Sequence, residues 1–465
     1  MTRPAVPLLL CGLLMSLATP AWAEPLRMHD AVTRAVSRYR SLAVKRHELN
    51  AAEARATGVR DAYLPDVTAA AQQSFGTVNG AFGPQTPIGL QGISSAGPTS
   101  SDQSWNAAFG ANYLLAVNWE LFTFGRVDAR IDLADASARR AKADLEQERF
   151  VHGVRVAGTY LDLLVAQQLA RVATSNLERA SSVQNDVDAR ARTGLVPQVD
   201  QSSADAEVSR ARLAVVDARD REQRLATQLA VYIDAPSATF VLDETFLSRA
   251  PTRFSTAASF ADNPQLKFQT ARIDEAEASA RATARSIRPG INLVGAYHLR
   301  ASGFEHDYAP ANGRFTSSYL DGIAPNRSNF IVGLTLTWNL MSPLKNRGPN
   351  AARDETAAAV RNEHELLESQ LQNQLRLADA RIINMLEFVR EVPRQLVAAE
   401  AAYEQKKALY DNGLATLVEV QQALYALNRA EVDRSVAHVG LWQALLQKAA
   451  AAGDFELFSS QARLP

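Results

Sequence analysis

Cysteine is almost missing: the 465-residue chain has a single one, Cys11, inside an apolar stretch near its amino end. One thiol cannot form an internal disulfide or supply a thiolate set for a metal, so the fold must hold without either. An excess of charge of one sign is missing too, with 49 Lys and Arg against 50 Asp and Glu and no basic arm or acidic tail. Binding nucleic acid through its phosphates needs clustered positive charge, and that class is excluded. Beyond the amino end no apolar run reaches the roughly 18 residues of a membrane-spanning helix, which excludes a helical inner-membrane protein.

Catalytic signatures are missing as well. The histidines at 29, 47, 152, 298, 306, 364 and 438 are scattered, and neither His47-Glu48 nor His364-Glu365 continues into the spacing of a zinc helix. There is no nucleophile elbow, phosphate-binding loop or dinucleotide fingerprint. No catalytic residue, metal ligand or cofactor is assigned, and the chain is read as not an enzyme.

What is present begins with Arg3, an apolar stretch from Ala5 to Ala18, and Ala21-Trp22-Ala23. This is the pattern of a secretory signal, residues 1–23, cleaved before Glu24. Leu10 precedes Cys11 where lipidation requires a small residue, so an unlipidated product is expected.

The rest of the chain repeats itself. RTGLVPQVDQ at 192–201 matches DNGLATLVEV at 411–420, with Gly194 on Gly413, Leu195 on Leu414 and Asp200 on Glu419, a shift of 219 residues. The same shift carries Trp119 onto Trp338, while AAEARA at 51–56 falls on EAEASA at 275–280 with a shift of 224 that also takes Pro65 to Pro289. A fixed internal shift marks a duplicated unit. The difference of five must be absorbed between Pro65 and Trp119, in a Gly-, Pro- and Ser-rich stretch of the kind that forms surface loops.

The first copy is expected over 24–243, with helices at about 29–62, 126–192 and 198–232 and strands at about 66–78 and 105–123. The second spans 244–465, with helices at about 261–287, 351–411 and 416–452 and strands at about 290–301 and 329–341. At ~1.5 Å per residue a 67-residue helix runs roughly 100 Å, far beyond the ordinary globular length. Leu417, Val420, Leu424 and Leu427 step by three and four, and Leu367, Leu371 and Leu375 by four, as in coiled coil. Many other stripe positions are Ala, which permits close packing of helices. The helices alone are equally consistent with an antiparallel coiled-coil rod.

The strands discriminate. Phe109, Tyr113, Leu115, Val117 and Trp119 alternate with Gly110, Asn112, Asn118 and Glu120; Phe330, Val332, Leu334, Leu336 and Trp338 alternate with Asn329, Gly333, Thr335 and Thr337. Two-residue alternation over ten or more positions suits a membrane barrel strand, with lipid outside and water inside; the other reading is a soluble sandwich with one buried face. Four strands cannot close a barrel, and an open edge in hydrocarbon leaves backbone groups without partners, so the chain must oligomerise. Two chains would give eight strands and three would give twelve; eight leave a bore filled by side chains, so conduction favours twelve.

In the order helix, strand, strand, long helix, turn, helix, in its paired G-L-x-x-x-V-[DE] turns and in WELFTFGR at 119–126, the chain resembles the TolC-like outer-membrane factors. Its second copy departs at WNLMSPLKNRG, 338–348. The resemblance implies a mainly α fold with a membrane β-barrel: a homotrimer with a twelve-stranded barrel and a periplasmic α-helical barrel. It implies an outer-membrane channel reaching into the periplasm and exporting small molecules or proteins, within a tripartite efflux pump or type I secretion system. The partners implied are a periplasmic adaptor protein, an inner-membrane transporter and outer-membrane lipid. Tyr113, Leu115, Val117, Trp119, Val332, Leu334, Leu336 and Trp338 would then face the membrane, and Gly194, Leu195, Gly413 and Leu414 would form tip turns that contact the adaptor. Relatives carry acidic residues at the entrance just after the second turn; Glu419 matches one, Gln422 stands at the other, and Asp200 is the first-copy equivalent of Glu419. Each carboxylate is equally readable as a first-turn residue favoured by the helix dipole. The competing function is a periplasmic coiled-coil adaptor or structural rod.

Overall fold

The computed structural model describes residues 25–79, 84–85, 94–95, 99–236, 238–254, 260–309 and 312–463. The expected signal segment with Cys11, and much of the loop after the first strand, lie outside them. The main helices are α1 (Met28–Arg38), α2 (Arg40–Arg60), α3 (Arg126–Arg192), α4 (Gln198–Ile233), α5 (Pro264–Arg285), α6 (Arg347–Asp411), α7 (Leu417–Ala452) and α8 (Glu456–Ala462). The main strands are β1 (Asp66–Thr77), β2 (Ala107–Phe122), β3 (Gly290–Ser302) and β4 (Arg327–Thr337). No described helix is long and apolar enough to cross a membrane.

Two local departures from the sequence expectation have physical causes. The helix expected over 29–62 is interrupted at Tyr39, which is extended (φ −61°, ψ 125°); its ring stacks on His152 with centroids 3.8 Å apart, a contact from a distant segment that hydrophobic periodicity does not register. The last strand stops at Thr337, because Asn339 Oδ1 accepts the Met341 N–H at 3.1 Å and Pro343 opens a short helix, Ser342–Lys345. Helix α6 keeps Pro393 in its interior. Proline removes one intrahelical hydrogen bond, but Val392 and Leu396 on either side are buried and pin the helix there.

By contacts the chain divides into two compact units that cut across the two sequence copies. One comprises residues 44–146 and 265–367. It holds an antiparallel sheet in the order β1-β2-β3-β4, in which each copy contributes two neighbouring strands. Strands β1 and β4 are its edges, and β2 carries an irregularity between Glu120 and Phe122 where it pairs with β3.

The other unit comprises residues 1–43, 147–264 and 368–465, and its described residues are mainly helical. One core gathers Tyr160, Phe246, Trp442 and Phe458. Its polar tips are satisfied: Tyr160 donates its hydroxyl to the Leu26 carbonyl at 2.6 Å and accepts the Asp243 N–H at 2.9 Å, and the Trp442 indole donates to the Arg249 carbonyl at 2.7 Å. These bonds tie the segment joining the two copies to the helices. A second cluster contains Val187, Val208, Tyr403, Tyr410 and the stripe Leu417, Val420, Leu424 and Leu427, all buried. It underlies the turns at Gly194 and Gly413.

Candidate functional site

Strand register decides which side chains share a face. Val67, Val117, Gly295 and Val332 form one row across the sheet; Ala69, Leu115, Tyr297 and Phe330 form the next, and Trp119, Leu293 and Leu334 another. Ile291 stands opposite Leu336, and Tyr113 lies between Ala71 and Leu299. The apolar positions of all four strands therefore lie on one surface. That surface is uncovered over much of its extent: Val332 is 70% exposed, Leu334 69%, Leu336 65% and Leu115 47%, whereas Tyr113 and Val117 are half-buried. Exposed apolar area on this scale marks an interaction surface. The opposite face presents Gln72, Asn112, Asn118, Asn292, Asn329 and Thr335, interrupted by Leu114 and Ile331.

Trp119 and Trp338 do more than the sequence indicates. The Trp119 indole donates to the Tyr63 carbonyl at 2.8 Å, and the Trp338 indole to the Ile287 carbonyl at 3.2 Å. Tyr63 and Ile287 sit two residues before Pro65 and Pro289, so both copies fasten the helix-to-strand junction to the end of the outgoing strand. Nothing in the two-residue period announces this. The combined shifts of 219 and 224 contain it, once the acceptors are known.

The turns at Gly194 and Gly413 share one geometry. Gly194 has φ +74° and Gly413 +73°, the left-handed region that costs any residue with a Cβ. Leu195 donates to the Arg190 carbonyl at 2.9 Å and Gly194 to Ala191 at 3.0 Å; Leu414 donates to Leu409 at 2.8 Å and Gly413 to Tyr410 at 3.0 Å. Both are Schellman caps, which satisfy the last carbonyls of α3 and α6. Leu195 and Leu414 follow at 76% and 74% exposure. Arg190 bonds the two turns together, donating to the carbonyls of Tyr410 (2.9 Å) and Asp411 (3.0 Å) with its guanidinium 4.7 Å from the Tyr410 ring centre.

After the turns the two copies differ. Thr416 Oγ1 accepts the Glu419 N–H at 3.4 Å while a Glu419 carboxylate oxygen accepts the Thr416 N–H at 2.9 Å, a capping box that closes α7. The other Glu419 oxygen takes a hydrogen bond from Lys406 at 2.7 Å. The Lys406 ammonium first, and then the Thr416 donors, pull the Glu419 pKa down to about 2. The Thr-x-x-Glu spacing that makes this box was readable in the sequence; the Lys406 partner, from the preceding helix, was not. Asp200 follows Pro197, which starts α4 without a side-chain cap. Gln422 is exposed. No cluster of metal-ligating side chains occurs among the described residues.

The outer membrane efflux protein family matches residues 31–233. The chain is 24% identical over 365 residues to the pyoverdine export outer membrane protein OpmQ of Pseudomonas putida, which covers 74% of this chain and 72% of that relative. Among solved structures, the outer-membrane channel OprN aligns over 92% of this chain and 89% of its own, with a TM-score of 0.69 and 19% identity. The CmeC outer membrane channel of Campylobacter jejuni aligns over 92% and 85%, with a TM-score of 0.73 and 12% identity. The chain is thus similar over residues 31–233 to the outer membrane efflux protein family, and it shares the fold of solved outer-membrane channels.

Proposed function

We propose that three copies close a twelve-stranded barrel in the outer membrane, with β4 of one copy pairing β1 of the next and the apolar sheet face turned to lipid. The observation that carries this reading is the sheet: four strands, open at both edges, with one continuous apolar surface. Hydrocarbon tolerates apolar side chains but not unpaired strand edges, and closure with identical neighbours satisfies both requirements. A soluble adaptor or rod would have no use for this face uncovered in water. In this reading Trp119 and Trp338 lie near the membrane interface, where aromatic residues with a polar tip are favoured.

The exposed Leu195 and Leu414, presented on rigid caps, suit docking to a periplasmic adaptor that couples the channel to an inner-membrane transporter. Export of small molecules or proteins then follows from the conduit itself. Glu419 contributes to the entrance through its fixed position, and its bond to Lys406 neutralises much of the charge it would otherwise present. Membrane fractionation with native mass measurement in mild detergent tests the proposal. An outer-membrane trimer is the expected result; a monomer, or recovery with soluble protein, refutes it.

A further inference from the structure

We propose that Arg300 and Arg327 form a collar that binds anionic groups of the exported cargo on the polar face of the sheet, an inference that rests on the trimeric barrel proposed above. The two residues are directly opposite in the β3–β4 register, and the row continues through Asn112 and Gln72. Two like charges facing each other across an antiparallel pair destabilise it. Here nothing offsets the repulsion: among the described residues neither guanidinium has a carboxylate within ion-pair distance, and the loop carboxylate Asp307 is committed to Arg314. Arg327 donates only to the neighbouring Asn326 carbonyl, at 2.8 Å. An uncompensated arginine pair held in this way lacks an anion.

The sheet holds the pair firmly and in the right sense. The Asn326 N–H bonds the Arg300 carbonyl at 2.9 Å, so the backbone is fixed at this row. The acidic residues of the same face, Asp66 and Glu120, sit near the strand ends that join the helices, and Glu120 is paired with Arg126. Charge on this face is thus graded along the strands, positive toward the long loops. One row further in, His298 bonds Asn112 at 3.3 Å, so the adjoining surface is polar.

Because the apolar rows occupy the other side, closure of the barrel turns these arginines to the water-filled bore. Three copies bring six guanidinium groups to one level. A cationic ring inside low-dielectric walls concentrates anions, and the planar guanidinium matches carboxylate, sulfonate and phosphate oxygens in pairs. A free anion in the bore and a lipid phosphate share this chemistry, but a lipid would have to reach the face turned away from it.

The test uses the full chain in detergent and then in planar bilayers of neutral phosphatidylcholine, with inositol hexakisphosphate as the polyanion. Wild-type protein should bind one polyanion per trimer by calorimetry. Arg300→Gln/Arg327→Gln should weaken binding at least tenfold and shift the reversal potential in a KCl gradient toward potassium. Arg300→Lys/Arg327→Lys should retain the selectivity but bind more weakly than wild type. A trimer whose Gln pair leaves both binding and reversal potential unchanged overturns the collar alone. Binding of one polyanion per chain, or an effect of the substitutions seen only with lipopolysaccharide in the bilayer, overturns a ring in the bore. A monomeric wild type removes the barrel reading and the collar with it.

Discussion

Leu334 and Thr335 are neighbours in β4, yet an arginine introduced at each should have opposite consequences. Leu334 shares its row with Leu293 and Trp119 on the apolar face and is 69% exposed. Thr335 stands on the polar face opposite Asn292, with Glu120 next in the row. An arginine facing lipid costs about 2–4 kcal/mol at the bilayer midplane and about 0–1 kcal/mol at the interface. Leu334 is two residues from Val332, the centre of Arg327–Thr337; at ~3.3 Å per residue along a tilted strand this is about 5 Å off the midplane, which places the cost near 2–3 kcal/mol per chain. A trimer accumulates it three times, about 6–9 kcal/mol, or at least four decades in the assembly constant. Leu334→Arg should therefore abolish the trimer on native gels over a protein concentration series, while Thr335→Arg, placed in water beside a carboxylate, should assemble like wild type. Equal trimer yields for the two variants would refute both the register and the lipid assignment.

Trp338→Phe retains the ring but loses the hydrogen bond to Ile287, and Trp119→Phe loses the one to Tyr63; each should cost about 1 kcal/mol, seen as a lower Tm in detergent, and an unchanged Tm denies the junction role. Gly413→Ala meets no atom within 4 Å of its new Cβ, so only its φ of +73° opposes the change; a loss of about 1 kcal/mol is expected by chemical denaturation, and a neutral result would mean that the cap is not held in the left-handed region. The Glu419 pKa of about 2 lies below the usual 4.5, so the cap and its Lys406 link are fully formed above pH 4.5 and lost as pH falls toward 2. Amide exchange at residues 416–420, corrected for intrinsic rates, should accelerate over that window in wild type and show no such step in Glu419→Gln. His152 is fully buried and burial lowers its pKa below the usual 6.5; the unfolded chain then binds the extra proton, so stability should fall as pH drops below 6.5. His152→Gln should flatten that slope, and a wild-type stability equal at pH 7.5 and 5.5 would contradict the buried neutral imidazole.

The strands were legible because apolar alternation has a period of two and leaves its mark residue by residue: Tyr113, Leu115 and Val117 on β2, and Val332, Leu334 and Leu336 on β4, share one face of the sheet. Which strands neighbour each other was not legible. Pairing β2 with β3 joins the two copies through positions nearly 200 residues apart, as with Leu115 and Tyr297, and period alone says nothing about partners. The long helices were legible for the same local reason, and the break at Tyr39 was not, since it depends on His152 more than one hundred residues away. The glycine turns announced themselves through the only residue type that adopts their φ without strain. The bonds that give each turn its character come from other helices, namely Arg190 reaching Tyr410 and Asp411, and Lys406 reaching Glu419.

The two turns show how a duplicated pattern can keep its geometry and change its chemistry. A shift of 219 places Asp200 on Glu419 and, three residues earlier, Pro197 on Thr416. A capping box needs a hydroxyl at the cap to accept a backbone N–H, and a cap N–H for the carboxylate to accept in return. Proline supplies neither group, and the aspartate side chain is one methylene shorter than glutamate. Helix α4 consequently begins with no side-chain cap, whereas α7 begins with both halves of the box and a lysine on the remaining carboxylate oxygen. The second-copy turn is therefore cross-linked to the helix before it through the charged Glu419–Lys406 pair, whereas α3 and α4 are joined behind the first-copy turn by the uncharged amide of Gln184, which donates to Asp205 at 2.6 Å. Any rearrangement that separates the helices at these turns must break a charged pair in the second copy and has no equivalent bond to break at Asp200, so the two turns should yield in a fixed order, the first before the second.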